Sequence, residues 1–142
     1  MTTILGLDLS LTSTGIAYIS EKLNIVETNL ITPKCKGIER LKIIKDKIDN
    51  YISIIDSQDK IDLIVQENYS FGSRGRATFS IGELGGIIKL LLYSKNIKTV
   101  LVPPTTLKKF ICGNGTAQKD LMILNVFKKY GAEFNDNNKC DA

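Results

Sequence analysis

Three carboxylates in this 142-residue sequence are placed where they could do chemistry: Asp8, Glu67 and Asp141. Asp8 lies inside the apolar run Ile4-Leu5-Gly6-Leu7-Asp8-Leu9. An ionised Asp among Ile and Leu is costly to bury unless a metal ion or a bound phosphate group compensates it. Glu67 closes a second apolar run, Ile64-Val65-Gln66-Glu67. Asp141 follows Asn138 by three residues, a spacing that puts both on one face of a helix. Each acid taken alone also reads as a cap or a surface charge; the set carries the expectation. Oxygens converging from such a set repel one another, and hard cations resolve the repulsion, with Mg²⁺ expected and Mn²⁺ able to substitute. Two such ions about 4 Å apart would clamp the attacking and leaving oxygens of a phosphodiester, with water as the nucleophile.

That chemistry needs no histidine, and the sequence contains none. Ser-His-Asp and Cys-His nucleophiles, zinc-histidine sites and a histidine general base are all excluded. Cys35, Cys112 and Cys140 are odd in number and widely spaced, so neither a disulfide framework nor a zinc site is expected, and Cys35 and Cys112 read as small apolar fillers. The net charge of +4 permits nucleic-acid binding without demanding it. No apolar stretch is long enough to cross a bilayer, and Met1-Thr2-Thr3 runs straight into a strand without a basic segment. A cytoplasmic protein with no membrane partner is expected.

The elements that must position the acids follow from periodicity. Strands are expected over 3–9, 16–19 and 25–31, joined by short polar turns as an antiparallel meander. Ile38, Leu41, Ile44, Ile48, Tyr51 or Ile52, and Ile55 predict an amphipathic helix over 37–55, with Lys36, Arg40, Lys42, Lys45 and Lys47 on a solvated face. A fourth strand over 61–67 leads into a loop from Asn68 to Gly75. A mostly apolar helix over 77–94, a fifth strand over 98–102 and a short helix through Phe110 follow. A helix opening at Thr116-Ala117-Gln118-Lys119 is expected to turn Leu121, Leu124, Phe127 and Tyr130 inward. The result is an α/β fold, a mixed five-stranded sheet with helices on both faces, occupying 1–142 as one domain.

The ordered set of motifs resembles the RuvC-type Holliday junction resolvases of the ribonuclease H-like superfamily, with the viral and phage branch closest in feel. Leu5-Gly6-Leu7-Asp8-Leu9-Ser10 with Thr14-Gly15 resembles their opening, and Ile64-Val65-Gln66-Glu67 their second acidic strand. Val102-Pro103-Pro104, Leu107-Lys108-Lys109 and Gly113-Asn114-Gly115-Thr116-Ala117-Gln118-Lys119 resemble their basic segment, and Asp141-Ala142 the start of their closing helix. The resemblance implies a divalent-metal endonuclease that binds four-way DNA junctions as a homodimer and makes paired symmetric nicks, with a phage or viral protein acting in a host cell as one setting. It implies metal ligation by Asp8, Glu67, Asn138 and Asp141, Lys119 against the scissile phosphate, and DNA contact by Lys108, Lys109, Arg74 and Arg76. Tyr69 and Phe71 match the loop that inserts an aromatic into the junction, and read equally as packing at the loop base. Asn138 departs from the acid or histidine found there in the family, which weakens that ligand. The closing helix is expected to be cut short after Ala142.

Two other readings compete. Asp8 to Gly15 also resembles the phosphate-1 hairpin of actin-like and sugar-kinase-like ATPases, although 142 residues is too short for their two domains. A non-catalytic junction- or nucleic-acid-binding module with a degenerate site is the other. For the dimer face, the glycine-bearing helix over 77–94 is the candidate. Gly82, Gly85 and Gly86 permit close approach, and its Ile and Leu residues exceed what one buried face needs.

Overall fold

A computed structural model describes residues 1–68 and 75–130, with the side chains of Arg76, Ala77 and Tyr130 left aside. The strands are β1 (Thr3–Asp8), β2 (Thr14–Ser20), β3 (Ile25–Ile31), β4 (Leu63–Glu67) and β5 (Thr99–Val102). The helices are α1 (Gly37–Gln58), α2 (Arg76–Ser94), α3 (Pro104–Cys112) and α4 (Lys119–Tyr130). The sheet order is β3-β2-β1-β4-β5, antiparallel through the first three strands and parallel from β1 to β4 to β5. This is the expected mixed sheet. The short turns close the meander, and the two helical crossovers force the parallel pairs.

The pleat divides the sheet into two unlike faces. Leu5, Leu7, Ile16, Tyr18, Ile31 and Ile64 point to one side and pack with Leu41, Ile44, Ile48, Ile52 and Ile55 of α1 and Leu84, Ile88, Leu91 and Leu92 of α2. Alternate residues, among them Ile4, Asp8, Ala17, Val65 and Glu67, fall on the other side. The acid in β1 therefore stands on the face away from the main core and is half-buried.

Far from the carboxyl ends of β1 and β4, a polar pin fixes α1 to the meander. Asp59, just past α1, is buried and accepts hydrogen bonds from the hydroxyls of Thr3 and Ser20, with Lys22 3.8 Å away. These donors hold its carboxyl below the usual range, Ser20 most and Thr3 next, with Lys22 adding charge. The Thr3 N–H also donates to Asp62 at 2.9 Å.

Several expectations need correction. Ile38 is exposed, because the buried stripe of α1 begins one turn later at Leu41. On α4 the inward residues are Met122 and Val126, whereas Leu121, Leu124 and Phe127 are partly exposed. The helix begins at Lys119 and packs on α3, so its buried stripe is rotated from the one that spacing alone suggested. Cys35 and Cys112 are half-buried rather than core fillers. The basic face of α1 is a solvated, internally paired surface as expected. Lys42 and Lys45 bond Asp46, Lys45 also reaches Asp49, and Lys95 of the segment after α2 reaches Asp49 at 2.6 Å.

Candidate active site

Asp8 is the last residue of β1 and Glu67 the last of β4. The two strands are parallel neighbours in the register Leu7↔Gln66, so the next rung sets Asp8 beside Glu67. Parallel neighbours lie about 4.8 Å apart, and residues on one rung project to the same side. Two half-buried carboxylates thus share one end of one face. Across Asp8 on the other flank stands Gly15. Glu67 pairs with Val102 on its far side, and the Asn68 N–H donates to the Val102 carbonyl at 2.8 Å, which holds the β4 terminus in line.

The turn that follows Asp8 is closed by its own hydroxyls. The Thr14 hydroxyl donates to the Ser10 carbonyl at 2.6 Å and accepts from the Ser10 N–H at 3.1 Å. The Ser10 hydroxyl accepts from the N–H groups of Thr12 and Ser13 at 3.3 and 3.2 Å. A phosphate cradle needs such N–H groups turned to a ligand; here the chain consumes them. The turn is a return into β2, and this weighs against the ATPase-like reading.

The basic segment leaves the same end of the sheet. Beyond β5, Pro103 sits ahead of α3 and Pro104 opens it, the position where a missing N–H costs nothing. Lys108 is half-buried and Lys109 exposed on this helix. Gly113 ends it in the left-handed conformation, φ 75°, and its N–H donates to the Lys109 carbonyl at 2.8 Å. Gly115 is needed for a different reason. A β-carbon there would lie 3.0 Å from the Thr105 carbonyl oxygen, so the turn packs directly on the α3 backbone. The Asn114 side-chain oxygen accepts from the Thr116 N–H at 3.0 Å and the Thr116 hydroxyl at 2.9 Å, and Ala117 is buried. Lys119 follows at the first position of α4, with an exposed side chain. The Gly-x-Gly-x-Ala-x-Lys run is thus a rigid turn that delivers a lysine to a helix start. On the far side of the hairpin, Lys129 lies 5.6 Å over the Phe110 ring and donates to the Phe110 carbonyl at 3.3 Å, fastening α4 to α3. Residue spacing alone offers no hint of that clasp.

The structure brings Asp8 and Glu67 together. Tyr69, Phe71, Arg74, Asn138 and Asp141 lie outside the described residues, and Arg76 is placed only as the first residue of α2. Among the described residues no group of three or more acidic, cysteine or histidine side chains gathers to hold a metal ion. The oxygen chemistry of the Asp8–Glu67 pair nevertheless suits a hard divalent cation and not a soft one. Among the described residues no helix is long and apolar enough to cross a membrane.

A sheet of this order, three antiparallel strands followed by two parallel ones with paired acids at adjoining strand ends, defines the ribonuclease H-like class. The family model described as "Crossover junction endodeoxyribonuclease RuvC" matches residues 4–133. A protein of that description from Carboxydothermus hydrogenoformans is 25% identical over 132 residues, covering 90% of this chain and 81% of the relative. Another from Rhodopirellula baltica is 30% identical over 129 residues, covering 87% and 70%. Among solved structures, Thermus thermophilus RuvC in complex with a Holliday junction substrate superposes with a TM-score of 0.79 at 14% identity, covering 100% of this chain and 88% of that one. This chain belongs to the RuvC family of crossover junction endodeoxyribonucleases.

Proposed function

We propose that this chain resolves four-way DNA junctions by paired, symmetric, divalent-metal-dependent nicks. The observation that carries the reading is the Asp8–Glu67 pair on one rung of β1 and β4, in a chain of the RuvC family. Asp8 and Glu67 are the metal ligands within the described residues, joined by Asp141 and more weakly by Asn138. Mg²⁺ is the expected ion and Mn²⁺ a substitute, because every donor is a hard oxygen. Bound there, the ions supply Lewis acidity to the scissile phosphate and a more acidic water.

The chain's own residues do the rest. Asp8 and Glu67 orient the attacking side of the phosphodiester from one direction, fixed by two adjacent interior strands of the sheet. Lys119, presented by its rigid turn, places a positive charge against the scissile phosphate. Lys108 and Lys109 neutralise backbone phosphates on the flanking duplex, and Arg74 and Arg76 add further phosphate contacts. Tyr69 and Phe71 stack on bases held open at the crossover. Two copies give two sites, and so two nicks on strands of like polarity.

The test is cleavage of a synthetic four-way junction against a linear duplex of the same sequence, with Mg²⁺, Mn²⁺ or a chelator. Junction-selective nicking that the chelator abolishes is expected. Binding to the junction with no cleavage under any metal would make the chain a junction-binding module instead, and ATP hydrolysis without DNA would return the ATPase reading.

A further inference from the structure

The paired acids stand inside one rung that crosses the whole sheet. Leu30 pairs with Gly15, Gly15 with Asp8, and Glu67 with Val102, while Asp8 adjoins Glu67. β3 and β5 are the two edges of the sheet, and both point their carboxyl ends to the side where the acids lie. The chain therefore leaves this rung at both edges, and each exit is a proline followed by lysines. Beyond β5 come Pro103 and then Lys108 and Lys109 of α3. Beyond β3 come Pro33 and then Lys34, Cys35 and Lys36, just ahead of α1. With strands about 4.8 Å apart, the β3 edge lies about 10 Å from Asp8 and the β5 edge about 5 Å from Glu67.

The segment beyond β3 is braced, and its cations are left over. Lys34 and Lys36 are both exposed. Between them the Cys35 carbonyl accepts a hydrogen bond from Arg40 Nε at 2.7 Å, which ties the segment to the first turns of α1. Gly37, with φ 60°, then turns the chain into the helix. A β-carbon there would meet nothing within 4 Å, so the left-handed backbone and not crowding explains this glycine. Further along α1 the lysines are neutralised: Lys42 and Lys45 bond Asp46, and Lys45 also reaches Asp49. Among the described residues no carboxylate lies within ion-pair distance of Lys34 or Lys36. An exposed lysine by itself is usually only solvated. These two differ because a pinned backbone holds them, unpaired, on the rim that carries Asp8 and Glu67.

We infer that Lys34 and Lys36 form a second phosphate-binding edge of the candidate active site, so that duplex DNA lies across the end of the sheet from the β3 edge to the β5 edge. The inference rests on the junction-nuclease reading above and adds two contact residues and a direction for the DNA. Lys34 and Lys36 hold the backbone on one side of the scissile phosphate, and Lys108 and Lys109 hold it on the other. The two edges are four strand spacings apart, about 19 Å. At 3.4 Å per base pair that span is about six base pairs. The acid pair lies nearer the β5 edge, so the stretch of backbone running to Lys34 and Lys36 is the longer one.

The test is binding of the full chain to a synthetic four-way junction in chelator over a range of salt. Lys34→Ala and Lys36→Ala should each lower the slope of log binding constant against log salt by about 0.9 and leave the denaturation midpoint unchanged. Direction is read by tethering an iron–EDTA group to Lys36→Cys or Lys109→Cys, in a background with Cys35→Ser, Cys112→Ser and Cys140→Ser. Radical cuts from the two positions should fall on opposite sides of the nick site, centred about six base pairs apart. If Lys108→Ala lowers the slope while the Lys34→Ala/Lys36→Ala double variant keeps the parent slope, the second edge is wrong and the junction-nuclease reading stands. Cuts from both tethers on one side of the nick site would also overturn it. If the unaltered chain neither prefers the junction to a linear duplex nor nicks it with Mg²⁺ or Mn²⁺, the reading itself falls and this edge with it.

Discussion

Removing one acid from the Asp8–Glu67 pair should make the metal-free protein more stable. The two residues follow the last rung of paired, parallel β1 and β4, on one face and both half-buried. Carboxylates about 6 Å apart at an effective dielectric of about 20–40 repel by roughly 1–3 kcal/mol. Asp8→Asn keeps the shape and removes one charge, so in a chelator it should raise unfolding free energy by that amount. For a domain of this size about 3 °C accompanies each kcal/mol, giving a rise in Tm of about 3–9 °C. Saturating Mn²⁺ should reverse the order. At free metal about 100 times its Kd the unaltered protein gains about 2.7 kcal/mol, and the variant, lacking a ligand, gains much less. Differential scanning calorimetry at pH 7, with chelator and with Mn²⁺, reads both effects. A variant less stable than the parent in chelator, together with a parent indifferent to Mn²⁺, would refute the claim that these acids repel each other and share a cation.

Three further outcomes follow from other contacts. Thr14→Val removes both hydrogen bonds between the Thr14 hydroxyl and Ser10; chemical denaturation should show a loss of about 1–2 kcal/mol, with junction cleavage falling because the turn after Asp8 loosens. The Asp59 carboxyl is held low by Ser20, Thr3 and Lys22, so the unfolded chain takes up its proton more readily than the folded one. Its stabilisation is complete above the ordinary carboxylate pKa and is lost as pH falls through the depressed folded value, so Asp59→Asn should flatten the acid limb of a stability–pH curve. Lys108→Ala and Lys109→Ala should each lower the slope of log binding constant against log salt by about 1 if each contacts one phosphate; an unchanged slope would make that lysine a merely solvated one.

Much of this was legible in the residues. The apolar runs, the period-two alternation over 25–31 and the short polar turns pointed to the meander, and the residues alone show Asp8 inside the first strand and Glu67 at the end of the fourth. What spacing alone could not supply was which strands are neighbours. That β4 lies against β1, and not against β3, follows from the parallel crossover through α1, and only this adjacency makes the two acids a pair. The same limit explains α4. Its apolar residues occupy more than one face, so periodicity could not choose between Leu121, Leu124 and Phe127 and the Met122–Val126 stripe that packing selects. Gly113 and Gly115 looked alike as loop residues, yet one serves a left-handed backbone and the other a close approach to Thr105. The buried Asp59 gave no sign in the sequence, because its donors Thr3 and Ser20 are distant in the chain and meet it only across the sheet.

The central claim is that Asp8 and Glu67 together make this a metal-dependent junction nuclease. A four-way junction labelled on two opposed strands, incubated with excess protein and Mg²⁺, tests it most directly, with Asp8→Asn and Glu67→Gln alongside. The account predicts symmetric nicks in both strands by the unaltered chain, and at least a hundredfold less cleavage by either variant while junction binding in chelator persists. Cleavage by both variants at the parent rate would contradict it.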